Sequence, residues 1–393
     1  MYSIRTLNNI ADVGLAKFNK QKSNQRCVVD NETKDPHGII LRSYNMHDIE
    51  PNESLLGISR AGAGTNNIPI ERYTQKGIPV FNTPGGNANA VKELVLAGLL
   101  LSSRRITAGA VWTQALVDEA DLDKAIEAGK KEFMGPEISG KTLGVIGLGA
   151  IGVLVANAAL DLGMEVVGFD SYLSLESAWH LSPSVERAES VEDVVAKSDY
   201  ISLHIPLTPE TKHCYNDELF ANTKKGARLL NFARGGLVES QALMTALDNG
   251  TIVHYITDFP AKELLGHKNI ITTPHLGAST PESEENCAVM AAKALREYLY
   301  FGNIKNSVNF PNCIVPYNGK PRIAVCHRNI VNMIGQLGAV FTKYSINIDK
   351  LVNNSKGDVA YNIIVCDSLP ENEDALIRDL YAIDSVIRVR LLK

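Results

Sequence analysis
Short apolar runs alternate with stretches of helical periodicity along most of this chain. Between residues 25 and 100, Val28-Val29, Ile39-Ile40-Leu41 and Val80-Phe81 read as strands of a small α/β unit, and Glu93–Arg105 reads as a long helix leading out of it. The rhythm resumes at Leu143–Ile146, Val166–Phe169, Tyr200–His204, Ala227–Asn231, His254–Thr257 and Ile270–Thr273. Buried strands with helices between them predict a doubly wound parallel sheet. After Pro274 a helix over Glu282–Phe301 is expected to return to the first unit. The chain then crosses twice between two α/β domains, and a cleft between them is the expected site.

The tail has a different pattern. Asn303–Pro321 is rich in Asn, Pro and Gly and reads as a linker to a separate module. Beyond it come a strand (Arg322–Cys326), a helix (Asn332–Lys343), two strands (Ile346–Asn353, Val359–Cys366), a helix (Glu371–Ala382) and a strand (Val386–Leu392). This βαββαβ order predicts a ferredoxin-like fold. The expected domains are 1–95 with 276–312, then 96–275, then 320–393.

Composition narrows the function classes. The 393 residues are 45% hydrophobic, enough for two or three ordinary cores. A net charge of −5 offers no bulk attraction to nucleic acid or to an anionic membrane. No apolar run reaches the roughly 18 residues needed to span a bilayer. The N-terminus lacks a signal core. Six cysteines without CxxC pairs read as reduced thiols of a cytoplasmic protein, not as zinc ligands or disulfides, and no metal site is expected.

Gly147-Leu-Gly149-Ala150-Ile151-Gly152 follows the first strand of the second unit and opens a helix, and Asp170 ends the next strand. This is a dinucleotide fingerprint. Gly147 permits the tight turn, Gly149 lets backbone approach a pyrophosphate, and Gly152 lets helix pack on strand. The helix N-terminus offers N–H groups and partial positive charge to phosphate. Asp170 can accept both ribose hydroxyls and repels a 2′-phosphate, which favours NAD over NADP.

Polar residues at the ends of later strands carry the candidate chemistry. Arg234, in a glycine turn, can grip a carboxylate with two hydrogen bonds. His275, on a strand-end loop, can serve as acid and base near neutral pH. Glu263 can orient the imidazole and raise its pKa. Taken alone, each also reads as an ordinary structural or surface residue. Together, Asn231-Phe-Ala-Arg-Gly-Gly, Thr257-Asp-Phe-Pro-Ala-Lys-Glu263 and Thr273-Pro-His-Leu-Gly-Ala-Ser resemble the D-isomer-specific 2-hydroxyacid dehydrogenase family over nearly residues 25–310. No proline follows the glutamate, a departure from the family pattern. The resemblance implies that Arg234 binds the substrate carboxylate and polarises the keto group, that His275 exchanges the proton, and that Glu263 supports it. It further implies that Asp258 contacts the nicotinamide amide and that His204, Phe232, Ala233, Gly277 and Ala278 line the cofactor.

The first unit should select the substrate. Arg42 and Arg60 follow apolar runs, and two such arginines can neutralise a dianionic phosphate. Backbone N–H groups of Ala63 and Gly64 can cradle a carboxylate. This pattern is similar to the branch of the family that oxidises 3-phosphoglycerate at the head of serine synthesis, where Asn87 would line the cleft. Branches that act on glyoxylate, lactate or 2-oxoglutarate are the near alternative, and a non-catalytic NAD-binding scaffold or corepressor is the distant one. The tail resembles ACT domains, which bind amino acids between paired copies. Matching positions imply an L-serine site at His327, Asn329 and Asn347, although Val331-Asn332 replaces the usual Pro-Gly. The helix over 93–105 resembles the family's subunit-pairing elements, so a homo-oligomer, dimer or tetramer, is expected.

Overall fold
The computed structural model describes residues 1–18 and 27–393. Its first sheet is wholly parallel. It comprises β1 (Tyr2–Leu7), β2 (Cys27–Asp30), β3 (Gly38–Leu41), β4 (Gly57–Arg60) and β5 (Val80–Phe81), in the order β2-β1-β3-β4-β5. The apolar pattern missed β1, because Tyr2-Ser-Ile-Arg-Thr-Leu7 interleaves polar residues and buries only Ile4 and Leu7 fully.

The second sheet is also parallel and has seven strands. These are β6 (Thr142–Ile146), β7 (Glu165–Phe169), β8 (Glu186–Arg187), β9 (Tyr200–Leu203), β10 (Ala227–Asn231), β11 (Ile252–Thr257) and β12 (Ile270–Thr272). Their order is β12-β11-β10-β9-β6-β7-β8. Six of the seven were legible as apolar runs. The short edge strand β8 is Glu-Arg and carries no such signal. The winding direction reverses between β6 and β9, and open α/β sheets bind ligands at the carboxyl ends of strands at such a point.

By compactness the chain divides into two units, 1–87 with 281–393, and 88–280. The Ala88–Ser103 helix belongs to the second unit, so the boundary lies earlier than residue 95. Its Val91, Val95 and Leu99 share a core with Leu143, Val145, Val153 and Phe232. A Cβ on its Gly98 would lie 3.0 Å from the Phe232 ring, so a larger residue would push helix from sheet. The helices Ile106–Gln114 and Leu122–Gly129 were not read from the sequence. No single helix among the described residues is long and apolar enough to cross a membrane.

The tail forms the expected antiparallel sheet. Its strands β13 (Arg322–Arg328), β14 (Ile348–Lys356), β15 (Val359–Cys366) and β16 (Val386–Leu392) lie in the order β14-β15-β13-β16. It is not, however, separate. Ile323 and Val325 face the helices Met333–Lys343 and Glu373–Tyr381. The alternate residues Ala324 and Cys326 share a core with Leu295, Tyr298 and Leu299 of the Pro281–Phe301 helix. The expected linker is likewise packed: Ile304, Phe310, Cys313 and Val315 are buried. Its asparagines act as ties. Asn309 accepts the Val80 N–H (2.8 Å) and donates to the Ile78 carbonyl (3.0 Å), taking the place of a further strand beside β5. Composition alone reads such polar ties as loop.

Candidate functional site
The glycine turn sits at the winding reversal, between the ends of β6 and β9. Gly147 has φ +94°, and a Cβ there would lie 2.7 Å from the His204 carbonyl oxygen beyond β9. A Cβ on Gly152 would come within 1.9 Å of the Gly147 carbonyl oxygen. Around Gly149, by contrast, a Cβ would meet nothing within 4 Å. The turn is thus tight where helix meets strand and open where a phosphate would approach. The Ala150–Asp161 helix starts there, and its first-turn N–H groups have no helical acceptor. Asp170 accepts the Leu148 N–H (2.7 Å) and the Tyr172 N–H (2.7 Å), which fixes its carboxylate beside the turn. These features fit a dinucleotide, with Gly147–Gly152 at the phosphates and Asp170 at a ribose. His204 hydrogen bonds through Nε2 with Ser202 (2.9 Å), and burial depresses its pKa to about 4, so it is neutral.

Arg234 and His275 lie at the carboxyl ends of β10 and β12 in the same unit. Buried Asn231 shapes the arginine turn: its Oδ1 accepts the N–H groups of Ala233 (3.2 Å) and Arg234 (3.3 Å), and its Nδ2 donates to the Arg234 carbonyl (2.9 Å). The guanidinium is exposed and Nη1 donates to the Ala233 carbonyl (2.6 Å). Phe259 packs beside both loops. Its ring lies on the His275 imidazole at 4.8 Å, and a Cβ on Gly235, next to Arg234, would lie 3.0 Å from the Phe259 Cβ.

Asp258 holds the histidine loop. Its carboxylate accepts from Thr273 Oγ1, Leu276 N–H and Gly277 N–H, each at 2.7 Å, and its carbonyl accepts the His275 N–H (3.1 Å). The resemblance placed this carboxylate on the nicotinamide amide. In the structure it is 1% exposed and engaged with the loop. His275 itself has φ +54°, a left-handed conformation that those bonds maintain. Glu263 does not hydrogen bond the imidazole. It accepts from Ser240 Oγ (3.0 Å), and its own backbone N–H and that hydroxyl hold its carboxyl below the usual range. Sequence reading missed Asn231, Phe259 and Thr273 as supports, although all three stand inside the motifs it quoted.

In the first unit, Arg42 follows β3 and Arg60 ends β4. The Arg42 carbonyl accepts Arg60 Nε (2.9 Å) and Asn67 Nδ2 (3.2 Å), so the two arginines are tied together. The Arg42 guanidinium pairs with Glu284 in the first turn of the Pro281–Phe301 helix. Asn82 Nδ2 donates to the Ala63 carbonyl (2.7 Å), holding the glycine-rich loop that contains Gly64. Asn87 is half-buried.

The three tail positions are not brought together within one chain. His327 pairs across the sheet with Ala360, and Asn329 Nδ2 reaches the Gly357 carbonyl (3.2 Å). Asn347 precedes β14 at the other end of β15 and donates to Asp367 (2.5 Å). The separation along β15 is about 20 Å at the usual rise per residue.

Residues 98–277 match the family described as "D-isomer specific 2-hydroxyacid dehydrogenase, NAD binding domain". The D-3-phosphoglycerate dehydrogenase of Methanocaldococcus jannaschii is 38% identical over 288 residues, covering 71% of this chain and 53% of that protein. A Schizosaccharomyces pombe protein named "Putative D-3-phosphoglycerate dehydrogenase" is 30% identical over 422 residues, covering 98% of this chain and 85% of its own length. This chain therefore spans about half the length of several curated relatives and most of another. Among solved structures, the NAD-bound 3-phosphoglycerate dehydrogenase of Entamoeba histolytica superposes with a TM-score of 0.60 at 27% identity, over 78% of this chain and 98% of that one.

Proposed function
Because this chain belongs to the D-isomer-specific 2-hydroxyacid dehydrogenase family, we propose that it oxidises 3-phospho-D-glycerate to 3-phosphooxypyruvate with NAD, the opening step of L-serine formation. The observation that carries this reading is that Arg234 and His275 stand at the carboxyl ends of β10 and β12 of one sheet, with Phe259 packed on the imidazole and Asp258 bracing its loop. NAD supplies the hydride acceptor. Arg234 binds the substrate carboxylate, and its charge offsets the negative charge that builds on the C2 oxygen. His275 takes the hydroxyl proton during oxidation and returns it during reduction. Glu263 supports the imidazole only after leaving Ser240, or acts through a bridging water. Arg42 and Arg60 bind the phosphate, with the Ala63 and Gly64 backbone and Asn87 beside them.

The same reading extends to partners and place. The protein works in the cytoplasm as a homo-oligomer. Two tails pair so that His327 and Asn329 of one meet Asn347 of the other, and L-serine binding there slows turnover. Any such inhibition requires serine to prefer one state of the protein over another.

Initial-rate NADH formation with 3-phosphoglycerate, with and without serine, tests cofactor, substrate and effector together. Lactate and the reverse reactions of glyoxylate and 2-oxoglutarate complete the panel. A clear preference for the phosphorylated acid supports the proposal. Equal or better rates with an unphosphorylated acid move the chain to another branch of the family. No NADH signal with any acid leaves only a cofactor-binding scaffold.

A further inference from the structure
We propose that Glu284 is an affinity-tuning residue that holds Arg42 in an ion pair which an incoming phosphate must displace. The inference rests on the phosphate-binding reading of Arg42 and Arg60 and goes beyond it, since no role has been assigned to Glu284.

Three observations meet at this point. Arg42 projects from the end of β3, and its guanidinium pairs with the Glu284 carboxylate. Its backbone carbonyl accepts Arg60 Nε, so the second arginine is tied to the first through the main chain. Gly62, with φ +155°, leaves the space that the Arg60 guanidinium needs, for a Cβ there would lie 2.5 Å from Nη1. The structure thus sets the Glu284 carboxylate against one of two arginines that are tied to each other.

The Arg42–Glu284 pair is open to solvent, with side chains 37% and 47% exposed. Such a pair is weakly held and can be exchanged. A phosphate dianion offers Arg42 more charge and more acceptor oxygens than the carboxylate it replaces. A ligand with no phosphate leaves the pair in place and is indifferent to it. The carboxylate therefore lowers affinity for the phosphorylated ligand slightly and leaves that for an unphosphorylated one unchanged. This is competition by an internal partner for the same cation.

The test uses the full chain and two readouts. In Glu284→Gln, the Kd for inorganic phosphate, measured by calorimetry, should fall about three- to fivefold, the scale of an exposed ion pair. The KM for 3-phosphoglycerate should fall by a similar factor with kcat unchanged, and the KM for unphosphorylated D-glycerate should stay constant. Arg42→Gln should weaken phosphate binding, and adding Glu284→Gln to it should then change nothing further. A rise in phosphate Kd or in KM in Glu284→Gln would mean that the carboxylate merely orients Arg42, and it overturns the inference. So does an unchanged value, or an equal shift for both acids. A wild-type chain that binds phosphate but turns over no 3-phosphoglycerate defeats the functional reading instead, and the phosphate Kd of the variants still decides the role of Glu284.

Discussion

Three donors converge on the carboxylate of Asp258, and through them it sets the course of the backbone that carries His275. In Asp258→Asn one acceptor oxygen becomes an amide that faces an N–H group. The expected loss is about 1–3 kcal/mol in urea denaturation, the scale of a buried unsatisfied donor, together with a lowered kcat from a displaced imidazole. His275→Ala should reduce kcat by about two to four orders of magnitude in NADH-formation assays, and near-normal turnover would remove the residue from the chemistry. Gly152→Ala places a methyl group against main-chain oxygen, which cannot rotate away, so NAD binding followed by calorimetry should be lost or severely weakened. At this scale the sequence made the candidate groups readable, because Arg234, His275 and the glycines stand in ordered motifs. It did not reveal how they are held. The contact from Asp258 to Gly277 joins residues on neighbouring strand ends, and the resting partner of Glu263 is a serine on a different helix. Such pairings depend on strand register and loop path, which no local pattern encodes.

Among the elements, the Pro281–Phe301 helix has the most demanding surroundings. The last carbonyls of a helix run out of helical donors, and beyond the Gly302 N–H on Tyr298 (2.9 Å) it is side chains of the tail that meet them here. Arg390 donates to Tyr298 (3.0 Å) and Leu299 (2.7 Å) and stacks on the Tyr298 ring at 4.6 Å. Arg322 donates to Phe301 (3.2 Å), and the Tyr361 hydroxyl donates to the Gly302 carbonyl (2.8 Å). Cations at a helix C-terminus also meet favourable partial charge. Arg390→Met should therefore cost about 3 kcal/mol of stability, since two buried charge-assisted bonds are lost, although Tyr298 keeps the Gly302 N–H. The midpoint of urea unfolding measures it. A signal for this packing was present in β15. Val359-Ala-Tyr-Asn-Ile-Ile-Val-Cys366 is buried at every position. An antiparallel strand with one wet face alternates, so a continuous apolar run implies cover on both faces. Reading the preceding Asn- and Pro-rich stretch as a linker hid that implication.

For the molecule as a whole, the α/β class, the seven-stranded unit and the antiparallel tail were legible, since apolar runs report buried strands wherever both faces are covered. The polar edge strand β8 and the alternating β1 were not. Acid stability is a property of the whole chain. Burial holds both His204 and His254 at about 4 in the folded state, below the ordinary histidine value near 6.5. The unfolded chain therefore takes up protons first as the pH falls, and stability should decline between about 6.5 and 4 while staying flat above that window. Denaturant midpoints across this range should show the slope, and His204→Gln or His254→Gln should flatten it if the variant folds. The arginine-capped helix end has one more consequence. A tail whose side chains complete the interior of the preceding residues is not a detachable accessory. Cutting after residue 303 would strip tail donors from four carbonyls and bare an oily surface, so the shortened polypeptide should clump. Grafting in a foreign βαββαβ module would succeed only if the graft brought its own guanidinium groups to the same helix, which sets a narrow limit on how freely lineages could trade such tails.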